Sequence, residues 1–160
     1  MANITIEYMI LIPVLILQVF LLPYAAGMMM NYWTTSSETI ALQDASNHLS
    51  SSIQQLYFSL NNPTFSSGTV TSNLGVPMYI NGYAYVGNAS LVSVSGSGSE
   101  QALNITLALK GNSISTFSIV TLGQNAELNS SSATFTSISP NACINAYKNS
   151  NNTILLSFGT

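Results

Sequence analysis

The chain opens with a long apolar run that carries very few polar positions. Residues 8–30 are hydrophobic apart from Pro13, Gln18, Pro23 and Gly27. About 20 residues of this kind are enough to cross a bilayer as a helix. The run therefore predicts a helix of membrane-spanning length, which the two prolines should kink or locally deprive of hydrogen bonds.

A second pattern occupies residues 31–60, where apolar residues recur at steps of three or four. This spacing is typical of one stripe of an amphipathic helix, with Glu38, Asp44 and His48 off the stripe. The sequence Asn61-Asn62-Pro63 predicts the end of the helix, because the residue before a proline is pushed out of the helical region. The stripe residues are Leu42, Ala45, Leu49, Ile53, Leu56 and Leu60.

After Pro63 the pattern changes to an alternation of period two. Apolar residues at every second position from 103 to 109 predict a strand with one buried face and one wet face. Asn81-Gly82, between the β-rich arms of MYINGYAYV, predicts a two-residue hairpin with a type I′ turn, and Gly111-Asn112 predicts a second tight turn. We expect an α+β protein with an N-terminal helix over residues 1–61 and an immunoglobulin-like β-sandwich over residues 62–160. Further strands are predicted at 90–95, 115–122, 133–139 and 153–158.

Composition argues against several classes of function. Charged residues make up only 4% of the chain, against roughly 25% in average soluble domains. Two cations, Lys110 and Lys148, are too few for the basic surface that nucleic-acid binding requires. One histidine and one cysteine, His48 and Cys143, offer no catalytic triad and no metal-ligand motif. We predict no nucleic-acid partner, no enzyme activity, no metal and no cofactor.

The flanks of the apolar run distinguish between kinds of membrane segment. A secretory signal needs a basic region before a shorter apolar core, and an ordinary anchor has lysine or arginine on its cytoplasmic side. Here the first cation is Lys110. The absence suggests that a basic leader has already been removed, although Met1 could equally be an initiator.

Glu7, the apolar run with its early proline (IEYMILIPVLILQVF) and the β-rich remainder together resemble the type IV pilin family, the archaeal branch best. The run is also similar to that of tight-adherence pseudopilins. The resemblance covers residues 3–60 by motif and the rest by architecture. It implies a homo-oligomeric helical filament on the cell surface, with helices in the core and β domains outside. It also implies that subunits are embedded in the membrane before assembly, with membrane-bound assembly machinery as a partner.

The resemblance gives Glu7 a role in assembly. In the family the matching glutamate is fifth in the mature chain, the position of Glu7 counted from Asn3, and it pairs with the N-terminal amine of a neighbouring subunit. Because a carboxylate near hydrocarbon is costly unless paired, such a pair would set the register between subunits. The alternative is a carboxylate that faces lipid headgroups. The predicted filament-core residues are Tyr8, Ile10, Leu11, Ile12, Leu15, Ile16, Leu17, Phe20, Leu21 and Leu22.

Glycosylation sequons of the form Asn-x-Ser/Thr are the other candidate sites. The sequon at Asn3 would lie in the filament core and is set aside. Glycans would explain how so uncharged a surface stays soluble; the alternative is a bare polar face of serine and threonine. The predicted sites of N-linked glycans are Asn88, Asn104, Asn129 and Asn151.

Two classes of function follow from these patterns. The first is a structural subunit of an extracellular type IV pilus-like filament for surface adhesion or cell–cell aggregation, with the archaellin of a motility filament as a variant. The second is a monomeric, membrane-anchored cell-surface module on a helical stalk. The stripe of residues 42–60 favours the first class, because its steps do not sustain the heptads that a self-associating stalk would need.

Overall fold

A single long helix, α1, extends over Ala2–Leu60. The computed structural model of the chain describes residues 2–94 and 100–159, with side chains from residue 8 onward. The helix continues through Pro13 and Pro23. It ends at the predicted Asn-Asn-Pro sequence, where the Asn62 side-chain oxygen accepts hydrogen bonds from the backbone N–H and the hydroxyl of Thr64 at 3.1 and 2.9 Å. Local side-chain bonds of this kind compete with helical ones and help to stop the helix.

The chain forms two compact units that divide between Ser37 and Glu38. The first unit contains the apolar run. The second, termed the β unit, contains the last part of α1 together with all the described strands. The amphipathic stripe therefore belongs to the same compact unit as the sheets, which begins well before residue 62.

The described part of the β unit contains two four-stranded sheets. The first has the strand order β1–β7–β8–β5 and is mixed, because β5 runs parallel to β8. The second is antiparallel, with the order β4–β3–β2–β6. A long apolar helix followed by two sheets confirms the α+β prediction at that level. The strands are β1 (Gly68–Asn73), β2 (Tyr85–Ser93), β3 (Gln101–Leu109), β4 (Ser115–Leu122), β5 (Ala126–Leu128), β6 (Thr134–Thr136), β7 (Cys143–Lys148) and β8 (Ile154–Gly159).

The predicted turn at Asn81-Gly82 is present, although its arms are shorter than expected. Ile80 and Tyr83 exchange both backbone hydrogen bonds at 2.9 Å. Asn81 and Gly82 both have positive φ, 48° and 82°, as a type I′ turn requires. The pairing stops after this one bridge, so the turn closes a loop before β2 and does not join two strands.

The core of the β unit forms where the stripe of α1 meets the inward faces of the strands. The six predicted stripe residues are all buried, with at most 9% of each side chain exposed. Alternate positions of β3, Leu103, Ile105 and Leu107, are completely buried in the same cluster. Burial of one such side chain is worth roughly 1.5–3 kcal/mol. The stripe is therefore an integral part of the core.

Buried serines also join α1 to the edge strand β4. The Ser118 hydroxyl lies 2.6 Å from that of Ser46 and 2.5 Å from that of Ser50, and all three residues are buried. Gln43 extends the contact, since its side chain bonds to the Thr116 hydroxyl and donates to the Phe117 carbonyl. These bonds fix α1 along the strand and cover part of an otherwise open sheet edge.

We expect Ser118→Ala to lower the free energy of unfolding of the β unit by about 1–3 kcal/mol, because it leaves buried serine hydroxyls with fewer partners. Ser115→Ala makes the same chemical change on the exposed face of β4 and should stay within about 0.5 kcal/mol of the unchanged chain. Denaturant titration of the full chain in detergent measures both. Equal stability of the two variants would contradict the expectation.

The C-terminal end of α1 is held by further polar contacts. The Tyr57 hydroxyl donates to the Asn125 side-chain oxygen at 2.5 Å and accepts from the Gly123 N–H at 3.0 Å. Lys148 is a buried residue, with 3% of its surface exposed. Its ammonium group donates to the Asn62 carbonyl at 3.1 Å. A cation just beyond a helix C-terminus is favoured by the helix dipole.

Tyr85 lies at the centre of the β unit and is fully buried. Its hydroxyl donates to the Pro77 carbonyl at 2.6 Å, and burial raises the pKa of Tyr85 to about 12. In the unfolded chain the same group loses its proton near pH 10. The unfolded state therefore binds fewer protons than the folded state between these two values.

We expect the free energy of unfolding to fall by about 1.4 kcal/mol per pH unit above pH 10, because deprotonated Tyr85 favours the unfolded state. Tyr85→Phe should remove this contribution, whereas Tyr83→Phe, at a side chain 43% exposed, should leave it in place. Denaturant titrations between about pH 9 and about pH 11 give the slope. An unchanged slope in Tyr85→Phe would assign the pH dependence to another group.

Candidate functional site

The apolar part of α1 is uncovered along its whole described length. From Tyr8 to Met30 every large hydrophobic side chain is at least half exposed. This is the one helix in the described part of the chain that is long and apolar enough to cross a membrane. A helix that is apolar on all sides is stable only when it is covered on all sides. The segment is therefore a candidate for burial in a membrane.

The predicted filament-core residues all lie in this exposed segment, on every side of the helix. The least exposed of them, Leu15, has 50% of its surface exposed, and the most exposed, Phe20, has 73%. They are available for contacts with lipid or with other chains. The backbone of Glu7 is part of α1, but its side chain lies outside the described residues, so its predicted pairing stays a prediction.

Two aromatic residues mark the end of the apolar run. Tyr32 and Trp33 are 74% and 72% exposed. One residue further on, the Thr34 hydroxyl donates to the Met30 carbonyl at 2.9 Å. Tyrosine and tryptophan with one apolar and one polar side are favoured at membrane–water interfaces. The same position suits a boundary between a dry core and a wet exterior in an assembly.

The two sequons on strands lie on one face of the second sheet. Asn104 belongs to the central strand β3 and is partly exposed, on the side opposite the buried Leu103 and Ile105. Asn88, on β2, is exposed and pairs with Thr106 in the ladder. The alternation of β3 thus places Asn104 and Thr106 on the solvent side, as the period of the sequence predicts.

The other two sequons lie in connecting segments. Asn129 caps the short 3₁₀ turn Ser130–Ser132, and its side-chain oxygen accepts from the N–H and hydroxyl of Ser131 at 3.2 and 2.7 Å. Asn151 is exposed in the turn between β7 and β8. No strand neighbour flanks Asn151, whereas Asn88 and Asn104 each lie between two paired strands.

Sequence reasoning did not single out an apolar pair on the outer face of the second sheet. Phe117 and Ile119 are 63% and 61% exposed. They lie beside Thr106 and Asn104 on the neighbouring strand. The signal was present, because the segment STFSIVTL places Phe117 and Ile119 on one face of β4 and Val120 and Leu122 on the other. Exposed apolar groups on a sheet face favour contact with another surface.

The described residues contain no cluster of three or more histidine, cysteine or acidic side chains that could hold a metal. A depression of about 620 Å³ opens between β2, β3 and β5. It is lined by small and apolar side chains with one carboxylate, Glu127, and one amide, Gln101. This depression brings together no acid–base pair and no nucleophile with a base.

In comparisons with known proteins, the chain matches no family model, no curated protein and no solved structure.

Proposed function

We propose that the chain is a structural subunit of an extracellular type IV pilus-like filament and is anchored in the membrane through α1 before assembly. The observation that supports this most is the apolar segment of α1, uncovered from Tyr8 to Met30 in a chain whose β unit has a core of its own. The β unit does not need this segment in order to bury its hydrophobic residues. The segment is therefore available for contacts outside the chain.

Because the segment is apolar on all sides, only surroundings that enclose the whole helix can cover it. A single partner helix covers one stripe, whereas a bilayer or a bundle of several helices covers every side. Beyond Trp33 the helix no longer needs cover on every side, because the outward side of α1 in the β unit carries exposed Asp44, Asn47 and Ser51. A filament core built from residues 8–33 and a wet exterior built from the β unit fit this division.

Under this proposal the finer assignments also have roles. Glu7 pairs with a neighbouring N-terminus and sets the axial register of the subunits, and the exposed apolar residues from Tyr8 to Leu22 form the core. The β unit adopts an immunoglobulin-like sandwich that forms the filament surface. N-linked glycans on the four predicted sequons keep that surface soluble, and the filament serves surface adhesion or cell–cell aggregation. No catalytic step is assigned to it.

Electron microscopy with helical averaging tests the proposal, on material sheared from cells that express the full chain. We expect regular filaments whose reconstruction contains parallel helices in the centre, with density around residue 7 that shows what Glu7 contacts. Leu17→Lys, which places a cation inside the apolar segment, should abolish them at a cost of about 2.5–3.5 kcal/mol per helix. Gln55→Lys, on the exposed side of α1, should leave them intact.

Single particles that appear only in detergent extracts, with no sheared filaments, would instead identify a membrane-anchored module. Glu7 would then be a carboxylate at the headgroup level. Peptide mass mapping of the same material would show whether the four sequons carry glycans.

A further inference from the structure

One amide side chain interrupts the apolar segment at its middle. Gln18 is the only asparagine or glutamine between Tyr8 and Met30, and it is exposed on α1. It lies about ten residues, or about 15 Å of helix rise, from either end of the segment. A side chain at this depth cannot reach water at the bilayer surface, so its two N–H donors and its carbonyl need partners within the membrane.

A backbone acceptor lies directly beside it. Pro23 is inside α1 and has no N–H, so the Val19 carbonyl lacks the hydrogen bond that a helix normally supplies from four residues further on. In hydrocarbon an unsatisfied backbone carbonyl is strongly unfavourable, and donors on neighbouring helices are one way to satisfy it. An unpaired donor and an unpaired acceptor thus occupy adjacent positions in the same chain.

The two groups are poorly placed to satisfy each other within one helix. Side chains on an α-helix point towards its N-terminus, whereas backbone carbonyls point towards its C-terminus. The Gln18 amide therefore extends away from the Val19 carbonyl of its own chain. A second, parallel copy that is shifted by about one helical turn towards the N-terminal end brings its Val19 carbonyl to the level of this amide.

We propose that the Gln18 side chain of one chain donates a hydrogen bond to the Val19 carbonyl of a second copy. Each copy then donates to one neighbour and accepts from another, so that this head-to-tail contact can repeat along a filament. This inference rests on the proposed function, since it names the partner of the apolar segment as another copy of the same chain. It adds a contact at the middle of the segment, independent of Glu7.

A similar arrangement ten residues earlier shows why the acceptor is assigned to Val19 and not to Met9. Pro13 deprives the Met9 carbonyl of its helical donor, and Tyr8 with its hydroxyl precedes Met9. That carbonyl lies near the end of the apolar segment, where water can satisfy it. The Val19 carbonyl lies at the centre, where only protein can.

Association of the full chain in phosphatidylcholine vesicles tests the proposal. Fluorescent donors and acceptors are attached to Asn47→Cys, an exposed position, in a Cys143→Ser background, and energy transfer is measured as the lipid-to-protein ratio rises. We expect Gln18→Leu to weaken association by about 3- to 20-fold, the range measured for interhelical hydrogen bonds in membranes. Gln54→Leu, the same change on an exposed position of the β unit, should leave it unchanged.

Pro23→Ala provides the second arm, because it returns the N–H that satisfies the Val19 carbonyl within the helix. In the Pro23→Ala background, Gln18→Leu should weaken association much less than it does in the original chain. Such non-additivity is what a double-mutant cycle shows for two groups that contact each other. Equal losses in both backgrounds, or no loss in Gln18→Leu, would overturn the inference.

The outcomes separate the two proposals. A chain that associates and forms filaments equally well with and without Gln18 overturns this contact and leaves the filament proposal standing. An unaltered chain that stays monomeric at every lipid ratio and yields no sheared filaments overturns both.

Discussion

Leu49→Ala should lower the free energy of unfolding of the β unit by about 2–5 kcal/mol. Leu49 lies at the middle of the stripe and has no exposed surface. Its removal loses the transfer free energy of the side chain and leaves a cavity between α1 and the sheets. Because domains of this size are stable by only about 5–15 kcal/mol, the loss is a large fraction of the total.

The matched control is Ser51→Ala, two residues further along the same helix on its exposed side. It tests whether a change in helix propensity alone matters, and it should move the free energy of unfolding by less than about 0.5 kcal/mol. Denaturant titration of both full-length variants in detergent, followed by near-ultraviolet circular dichroism, gives the comparison. If Leu49→Ala were as stable as Ser51→Ala, the stripe would not be part of the core.

The second large effect is expected from Gly87→Ala. Gly87 on β2 pairs with Phe135 on β6, and a methyl group added at Gly87 would overlap the Phe135 ring. The ring is 2% exposed and stacks against Phe158 with centroids 5.1 Å apart, so it has no free space to move into. Overpacking of this kind costs about 1–3 kcal/mol, and sometimes more.

Two comparisons isolate the cause of that loss. Gly27→Ala adds the same methyl group where nothing lies within 4 Å, and it should not lower the stability of the β unit. Combining Gly87→Ala with Phe135→Leu should cost less than the sum of the two single changes, because the smaller side chain relieves the overlap. Strictly additive losses would show that the ring does not confine Gly87.

Elements with a regular pattern of buried residues could be predicted from the sequence. The stripe of α1 was predicted residue by residue, and all six of its residues are buried. β4 has the predicted bounds, 115–122, because its β-branched and aromatic residues lie between the glycines of two turns, Gly111 and Gly123. The predicted strand 133–139 is shorter in the structure, Thr134–Thr136, because the Ser137 hydroxyl accepts from the Tyr85 N–H and donates to the Met78 carbonyl.

Three strands, β1, β5 and β7, were not predicted, because their two faces do not differ clearly in polarity. β1, with the sequence GTVTSN, has no fully buried residue, and its inward positions include Gly68 and Ser72. β7 directs Lys148 inward, which alternation rules assign to solvent. β5 has only three residues. β1 pairs with β7 and β5 pairs with β8, strands that are distant in the sequence, and a local pattern does not contain such pairs.

The candidate site, like the fold, could be predicted from the sequence only in part. Local alternation predicted that Asn104 faces solvent, and hydropathy predicted that the segment from Tyr8 to Leu22 needs an external cover. The exposed pair Phe117 and Ile119 was missed, because an apolar residue on a strand is assigned to the core unless both faces are known. What covers this segment depends on the surroundings of the chain, lipid or protein, which a hydropathy pattern does not specify.

The burial of Lys148 has a consequence for proteolysis. Trypsin cleaves after lysine and arginine, and this chain has only Lys110 and Lys148. Lys148 is enclosed at the end of β7, whereas Lys110 is exposed in the turn between β3 and β4. The folded β unit therefore presents trypsin with one accessible bond, Lys110–Gly111. The scarcity of lysine and arginine, more than their burial, therefore limits cleavage by trypsin-like proteases.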